Sequence, residues 1–565
     1  MKGRKLSVLL IGTIVLSVIT TACGKDNPKS AIASRGDKPV VTIINGEKPD
    51  FNPSAAKSRK NTLVIGTDKP EGLLNPLYMK SSGDILITGT IFDGLLDIDK
   101  DGQPIGGIAD KWEVSDDGLI YTFHMKKDVK FSNGDTVTAN DVVFTYTVAC
   151  DRSYTGSVDV SRMKLKGYKE YKDGKATTVE GVAAKDDRTV VFTLSEKNAS
   201  VMYYFTTGIL SKKHYGKDYK QGDTKSVIAL NQKPMGCGQY VLTSYKGGQE
   251  VDLVANEKYW KGTPKIKNLI YRVTTNDTKM VMLASGEIDI DGLSAKGECI
   301  DQVKQAGFLN IQMFSSNAYG YIGMNCKDPK FLDKNVRKAL AYGLNRKEII
   351  KAAYQDSAEV LNTPYAKATF AYEENVEKYD YDLEKAKKLL DDSGWKVGAN
   401  GIREKDGKKF EIHFIVNKSD SFYNILISRA QRDYKDLGIN LISEPMELSD
   451  ISNKIDKKQC EMFLMVSKLA TDPDCSAMYS SKGNENKFNY SNVKVDELCS
   501  KGINTIDKGE RKKVYQKLGK ELNNELPCIY IYQSRDMWVI NERVKNIQCY
   551  PCKGIQHDLW KAELK

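Results

Sequence analysis

The chain predicts an α/β protein of more than one domain, and three observations carry that expectation. Short apolar runs with strand character stand at both ends of the folded part, Leu63-Val64-Ile65-Gly66 near the start and Ile529-Tyr530-Ile531-Tyr532 and Trp538-Val539-Ile540 near the end. Between them lie helical patterns: Asp333 to Leu344 places Val336, Ala339, Leu340 and Leu344 on one face, and Asp382 caps a run carrying Ala386, Leu389 and Leu390 that stops at Gly394. The folded part, about 500 residues, is also too long for a single core.

Taken from the N-terminus, Lys2, Arg4 and Lys5 precede an apolar run from Leu6 to Ile19 that ends in Thr20-Thr21-Ala22-Cys23-Gly24. The run falls short of the roughly 20 residues a spanning helix needs and has the layout of an export signal over residues 1–22. Its end resembles a bacterial lipobox, with Thr20 where Leu is usual, so Cys23 is expected to carry a lipid and to hold the protein on the extracytoplasmic face of the cell membrane. Residues 23–61 are polar and rich in Lys, Asp, Ser, Asn and Pro, and read as a flexible tether of roughly 35 Å root-mean-square span. Val40 to Ile44 is a stray strand candidate within it.

The block from Ala109 to Val142 is the most informative. Asp117-Gly118 supplies a tight turn, and Tyr121, Phe123 and Met125 alternate with polar residues at the period of a half-buried strand. A second turn at Asn133-Gly134 leads to Thr138, placed to cap a helix with Asp141 in its first turn and Val142, Val143 and Tyr146 on its apolar face. Upstream, Ile91-Phe92-Asp93-Gly94-Leu95-Leu96 reads as a helix end running into a hairpin.

This block closely resembles the Trp-x-x-Ser-x-Asp-Gly, Tyr-Thr-Phe, Val-Lys-Phe, Gly-Asp and Thr-Ala-x-Asp-Val run of the family 5 extracellular solute-binding proteins, the receptors of peptide and nickel importers. Pro234-Met235-Gly236-Cys237-Gly238-Gln239-Tyr240 is similar to the family's Pro-x-Gly-Thr-Gly-Pro-Tyr, with Cys237 and Gln239 as departures, and Asn256 to Pro264 matches its Asn-x-x-Tyr-Trp-x-Gly-x-Pro. Ser285-Gly286-Glu287-Ile288-Asp289, Asn325, Val336 to Leu340 and Ala386 to Trp395 follow in the family's order.

The resemblance implies a two-lobe periplasmic-binding-protein-like clamshell with mixed sheets and an extra inserted domain. Residues 62–97, 207–317 and 528–565 would make the first lobe, 98–206 the inserted domain and 318–527 the second lobe, with hinge crossings near 318 and 527. It implies a monomeric binding protein that captures an oligopeptide or similar solute and hands it to the permease of an ABC importer. The ligand wall it suggests is Ser81, Ser82 and Gly83 from the first lobe, Tyr154 from the inserted domain, Val466, Ser467, Lys468 and Leu469 from the second lobe, and Tyr532 near the hinge. In peptide-binding relatives an aspartate four residues before a proline holds the ligand's ammonium group. Here the matching proline is Pro473, and Leu469 stands four residues before it, with Val466 where Trp is usual. The expectation is a receptor that does not depend on a free α-amine, although Asp472 and Asp474 lie nearby.

Composition narrows the alternatives. The net charge of +11 is modest for 565 residues, three of those charges belong to the signal, and Lys is interspersed with Asp and Glu, so nucleic-acid binding is not expected. Four scattered histidines, His124, His214, His413 and His557, give no metal centre, and Asp97 to Ile108 starts like a calcium loop but lacks its twelfth-position carboxylate. No phosphate loop, nucleophile elbow or metal helix occurs, so neither enzyme chemistry nor a cofactor is expected. Eleven cysteines, Cys23 among them, are mostly single, which suits an anaerobic Gram-positive source with free thiols. Cys549-Tyr550-Pro551-Cys552 leaves a local disulfide, a metal half-site or a redox motif open, and without a surrounding βαβ pattern the redox reading is the weakest. Two other functions compete with transport: a signalling or adhesion lipoprotein on the same clamshell, and a thiol oxidoreductase using Cys549 and Cys552.

Overall fold

The computed structural model describes residues 41–565 apart from 356, 420, 469 and 470. The signal, Cys23 and the first part of the tether lie outside the described residues.

One strand organises the molecule. Cys528–Asn541 is 14 residues long. Its first part pairs with Ala318–Met324, through Cys528 opposite Gly323 and Tyr532 opposite Gly320. Its second part pairs with Leu309–Ser315 and Ile290–Ser294, through Arg535 opposite Ser315 and Val539 opposite Asp291. The two strands expected from sequence are thus one strand shared by two sheets. The change of partners falls at Gln533 and Ser534, so the second crossing lies inside this strand rather than near 527.

On one side of the switch, Thr62–Thr67, Asn268–Val273, Glu250–Ala255 and Tyr240–Lys246 extend the sheet. On the other, Met462–Lys468, Glu411–Asn417 and Asn440–Met446 do so. Separate apolar cores follow from this split. Val336, Leu340, Phe414, Met462 and Ile529 pack in the second lobe, whereas Leu63, Ile65, Leu269 and Ile290 pack in the first. The architecture is the two-lobed α/β clamshell expected.

The expected inserted region has its own four-stranded antiparallel sheet, ordered Ala109–Val114, Ile120–Met125, Thr189–Thr193 and Val182–Asp186. Helix Ala139–Cys150 covers it, and Thr138 and Asp141 form the reciprocal cap that the sequence signals. Its Phe123, Phe192 and Phe205 nevertheless belong to the same buried cluster as Leu63 and Ile65, so this region shares one core with the first lobe.

The tether does not reach residue 61. Val41–Ile44 pairs with Leu309–Ser315 as an edge strand, and the Asn52 amide exchanges hydrogen bonds of 2.8 and 3.0 Å with Asn541. Arg59 and Arg543 both reach the fully buried Asp289, which ties this segment to the first lobe. A polar composition hid a segment whose order comes from pairing with a strand more than 260 residues away, as in Gly46 N–H to Asn310 Oδ1.

Candidate functional site

A cleft opens where the second lobe faces the wall built from residues 98–206. On the second-lobe side, Met462–Lys468 pairs along its length with Ala318–Met324, but with Glu411–Asn417 only at Met462 and Phe463. Among the described residues, no strand pairs with the far side of Leu464–Lys468. Val466, 52 % exposed, stands on this stretch. Such an edge offers backbone donors and acceptors to an extended ligand.

Beyond that strand the chain turns through Thr471, Asp472 and Asp474 into the cleft. There an inner cavity of about 280 Å³ is lined by Ile98, Val158, Tyr203 and Tyr204 opposite Thr471 and Asp472. An outer basin of about 940 Å³ shares Arg162, Ser200, Tyr204 and Asp474 with it and extends past Lys164, Ser476 and Asp496. Ile98, Val158, Tyr203 and Tyr204 give this wall an apolar and aromatic part, beside polar groups from Ser200, Thr206, Thr207 and Thr471. Burial raises the phenols of Tyr203 and Tyr204 above their ordinary range, which keeps both as neutral donors.

Charge in the cleft is arranged in pairs. Arg511, on helix Lys508–Glu525, meets Asp472 through Nη1 to Oδ2 at 2.6 Å and Nη2 to Oδ1 at 3.0 Å, a fork geometry with both side chains largely buried. Burial works against the Arg511 charge, but Asp472 and Tyr515 outweigh it and raise its pKa. The same carboxylate accepts from Ser200 Oγ at 3.0 Å, across the cleft. Nearby, Arg162 Nη2 lies 3.6 Å from Asp474 Oδ2, and burial raises the Asp474 carboxyl while Ser476 and Arg162 pull it back.

The residues expected at the ligand wall are distributed differently. Ser81 caps helix Ser82–Ile91 by accepting from Asp84 N–H, Ser82 Oγ donates to Asp68 at 2.7 Å, and Gly83 lies against the Asp68 carbonyl. Tyr154 donates to Leu77 O at 2.6 Å, accepts from Val158 N–H and packs on Tyr78. It supports Val158, a lining residue, from behind. Tyr532 is buried beside Tyr354 and Phe422 as a hinge-side core residue. Val466, Ser467 and Lys468 lie on the open-edged strand, and Leu469 lies outside the described residues.

Sequence reading noted Asp472 and Asp474 but missed Arg162, Ser200, Tyr203, Tyr204 and Arg511. No local signal marks them: Arg511 sits in a lysine-rich helix where it reads as surface, and Ser200 precedes a one-turn helix. Burial holds the Cys549 thiol far above its ordinary range and pushes Cys552 up to about 11, and no disulfide joins the described cysteines. This is the opposite of a reactive thiolate.

The description "Bacterial extracellular solute-binding proteins, family 5 Middle" matches residues 103–489. The oligopeptide-binding protein AppA of Bacillus subtilis is 26% identical, over 100% of this chain and 99% of that protein, and heme-binding protein A of Haemophilus influenzae is 27% identical over 89% and 92%. The solved structure of the Bacillus subtilis AppA with a nonapeptide aligns with a TM-score of 0.68 over 90% of this chain and 99% of that one, at 26% identity. The ABC transporter substrate binding protein CtaP of Listeria monocytogenes aligns with 0.76, over the same shares and at the same identity. With its two lobes, its open strand edge and a match over most of its length, the chain belongs to the family 5 bacterial extracellular solute-binding proteins, which are binding proteins and not enzymes.

Proposed function

We propose that this chain is the membrane-tethered receptor of an ABC importer, which captures an oligopeptide or a similar extended solute between its lobes and delivers it to the permease. The observation that carries this reading is the edge of Leu464–Lys468, unpaired among the described residues, beside an open, partly aromatic cavity. An extended ligand would add to that edge through its main chain, with the inner cavity taking one side chain or end group. Closure about the shared strand would exclude water from the ligand and present the permease with a distinct shape. The AppA structure, solved with a nonapeptide, supports a peptide-like ligand.

The test is native mass spectrometry of the protein from residue 24 onward, purified from its own lysate. An extended peptide or peptide-like solute released on unfolding is the expected result. A compact metal chelate or a tetrapyrrole in its place would overturn the peptide reading, while an empty protein whose scattering profile stays fixed with every peptide pool tried would favour a non-transport role.

A further inference from the structure

We propose that Cys475 and Cys499 are a reversible redox modification site: a small disulfide entering the outer basin converts the two thiols into a cystine, which fastens a turn of the cleft wall to a helix of the second lobe. The chemistry stands on the thiol pair, and only its consequence for capture rests on the solute-capture reading above. Cys475 follows Thr471, Asp472 and Asp474, the turn that lines the inner cavity, and stands directly before the one-turn helix Ser476–Tyr479. Cys499 lies on helix Val493–Asn504. Both pack in the aromatic cluster of the second lobe, where the two thiols are hydrogen-bonded to each other. Tyr365, packed against Tyr515, places its OH 3.3 Å from Cys475 Sγ and fixes that end of the pair.

The pair has a route to solution. Cys499 lines the outer basin of about 940 Å³, and the residues on either side of Cys475, Asp474 and Ser476, line it too. The hydrogen bond to Cys499, and then burial, hold the Cys475 thiol well above its ordinary range, so Cys475 keeps its proton and Cys499, on the basin, supplies the attacking sulfur. Cys499 loses its proton, and its thiolate attacks one sulfur of the entering disulfide. That S–S bond breaks, one small thiol leaves, and a mixed disulfide remains on Cys499. Cys475 then gives up its proton and attacks Cys499 Sγ, which expels the second small thiol. The two cysteines lose two electrons, the reagent gains them, and two protons pass from the protein to the departing thiols. A cystine holds its sulfurs about 2 Å apart, so the thiol contact shortens and draws the turn bearing Thr471, Asp472 and Asp474 onto the helix. The mobility of this cleft wall is thereby tied to the surrounding thiol–disulfide balance.

The test uses the reduced full chain, without solute, and 2-hydroxyethyl disulfide. After an iodoacetamide quench, peptide mass mapping is expected to show Cys475 joined to Cys499 in wild type, and Cys475→Ser to stop at a mixed disulfide on Cys499. An unlinked wild type, whether unmodified or stalled at the mixed disulfide, overturns the site, and this arm needs no variant to fold. Modification of Cys475 in Cys499→Ser as fast as wild type forms its link overturns the order of attack. Hydrogen exchange then compares reduced and linked wild type: amides of residues 471–479 are expected to exchange about tenfold more slowly once linked, and equal rates overturn the control of the cleft wall. Because these arms contain no solute, they fail separately from the capture reading. A link that forms and slows exchange in a protein that binds no solute upholds the site and overturns its role in capture.

Discussion

Two glycines flank the shared strand, and replacing each by alanine separates steric from entropic effects at the hinge. Gly320 stands opposite Tyr532, and a Cβ there would lie 2.2 Å from Tyr532 Cε1 and 2.7 Å from Cζ. The ring cannot step aside cheaply, because it packs 4.8 Å from Tyr354 and 5.1 Å from Phe422, centroid to centroid, and the residue is 7% exposed. Gly292 stands opposite Trp538, and a Cβ there meets nothing closer than Met537 O at 4.0 Å. Neither glycine has a positive φ. Overpacking of a well-packed site costs about 1–3 kcal/mol, whereas Gly to Ala at a compatible site gains about 0.4–1 kcal/mol by restricting the unfolded chain. Gly320→Ala is therefore expected to destabilise by about 1–2 kcal/mol and Gly292→Ala to be neutral or slightly stabilising. Urea denaturation followed by circular dichroism reads both as midpoint shifts at unchanged slope. A Gly320→Ala midpoint at or above that of Gly292→Ala refutes the steric argument.

Asp291 gives a pH-dependent expectation. Burial pushes its carboxyl up to about 6, against the pull of Lys279 and Thr274, and Asp68 adds repulsion. The native state then holds a proton that the unfolded chain releases between about pH 4 and 6, so stability falls as pH rises through that window, by up to about 3 kcal/mol. Asp291→Asn should flatten this slope in urea titrations between pH 4 and 7; a slope equal to that of wild type removes the assignment. Cys549 and Cys552 should resist iodoacetamide at pH 7.5 in the folded protein and react once it is unfolded, read by peptide mass mapping, and rapid labelling of the native state would revive the redox reading. Cys23→Ser should shift the protein from membrane to medium in a Gram-positive host, and unchanged fractionation with an intact signal would rule out the lipid anchor.

What could be read from sequence was what is decided locally. The Thr138 and Asp141 cap, the Asp117-Gly118 turn and the Asp382 cap each depend on residues within a few positions, and the structure places all of them as expected. The long strand was read as two because Gln533, Ser534, Arg535 and Asp536 interrupt its apolar pattern where it leaves one core and enters the other. At such a joint the side chains answer to a different set of neighbours, and the two-residue period no longer reports burial. The residues that line the cleft carry no local signal for a related reason. Ser200 meets Arg511 across 311 positions of sequence, and neither has a local pattern that points to the other. Ser81, by contrast, was named from the family resemblance, and in the structure it caps a helix.

The hinge and the closing contact constrain each other. At the partner switch Ser316 N–H donates to Ser534 O at 2.8 Å, and the buried Gln533 side chain donates to Ser316 O at 2.7 Å, so the two crossings are bound together. Ala358–Glu359 pairs with Gln533 and Ser534 as a third, short strand. Independent bending of either crossing would break these bonds, and their rotation as one ladder keeps them. Under the closure proposed above, a small twist about this axis would produce a larger displacement at the far wall, where Ser200 meets Asp472. Opening would cost Asp472 and Arg511 only their shared Ser200 contact, because Gly502 O, Tyr515 OH and Asp474 N–H all belong to the second lobe, so the ion pair itself persists through the motion.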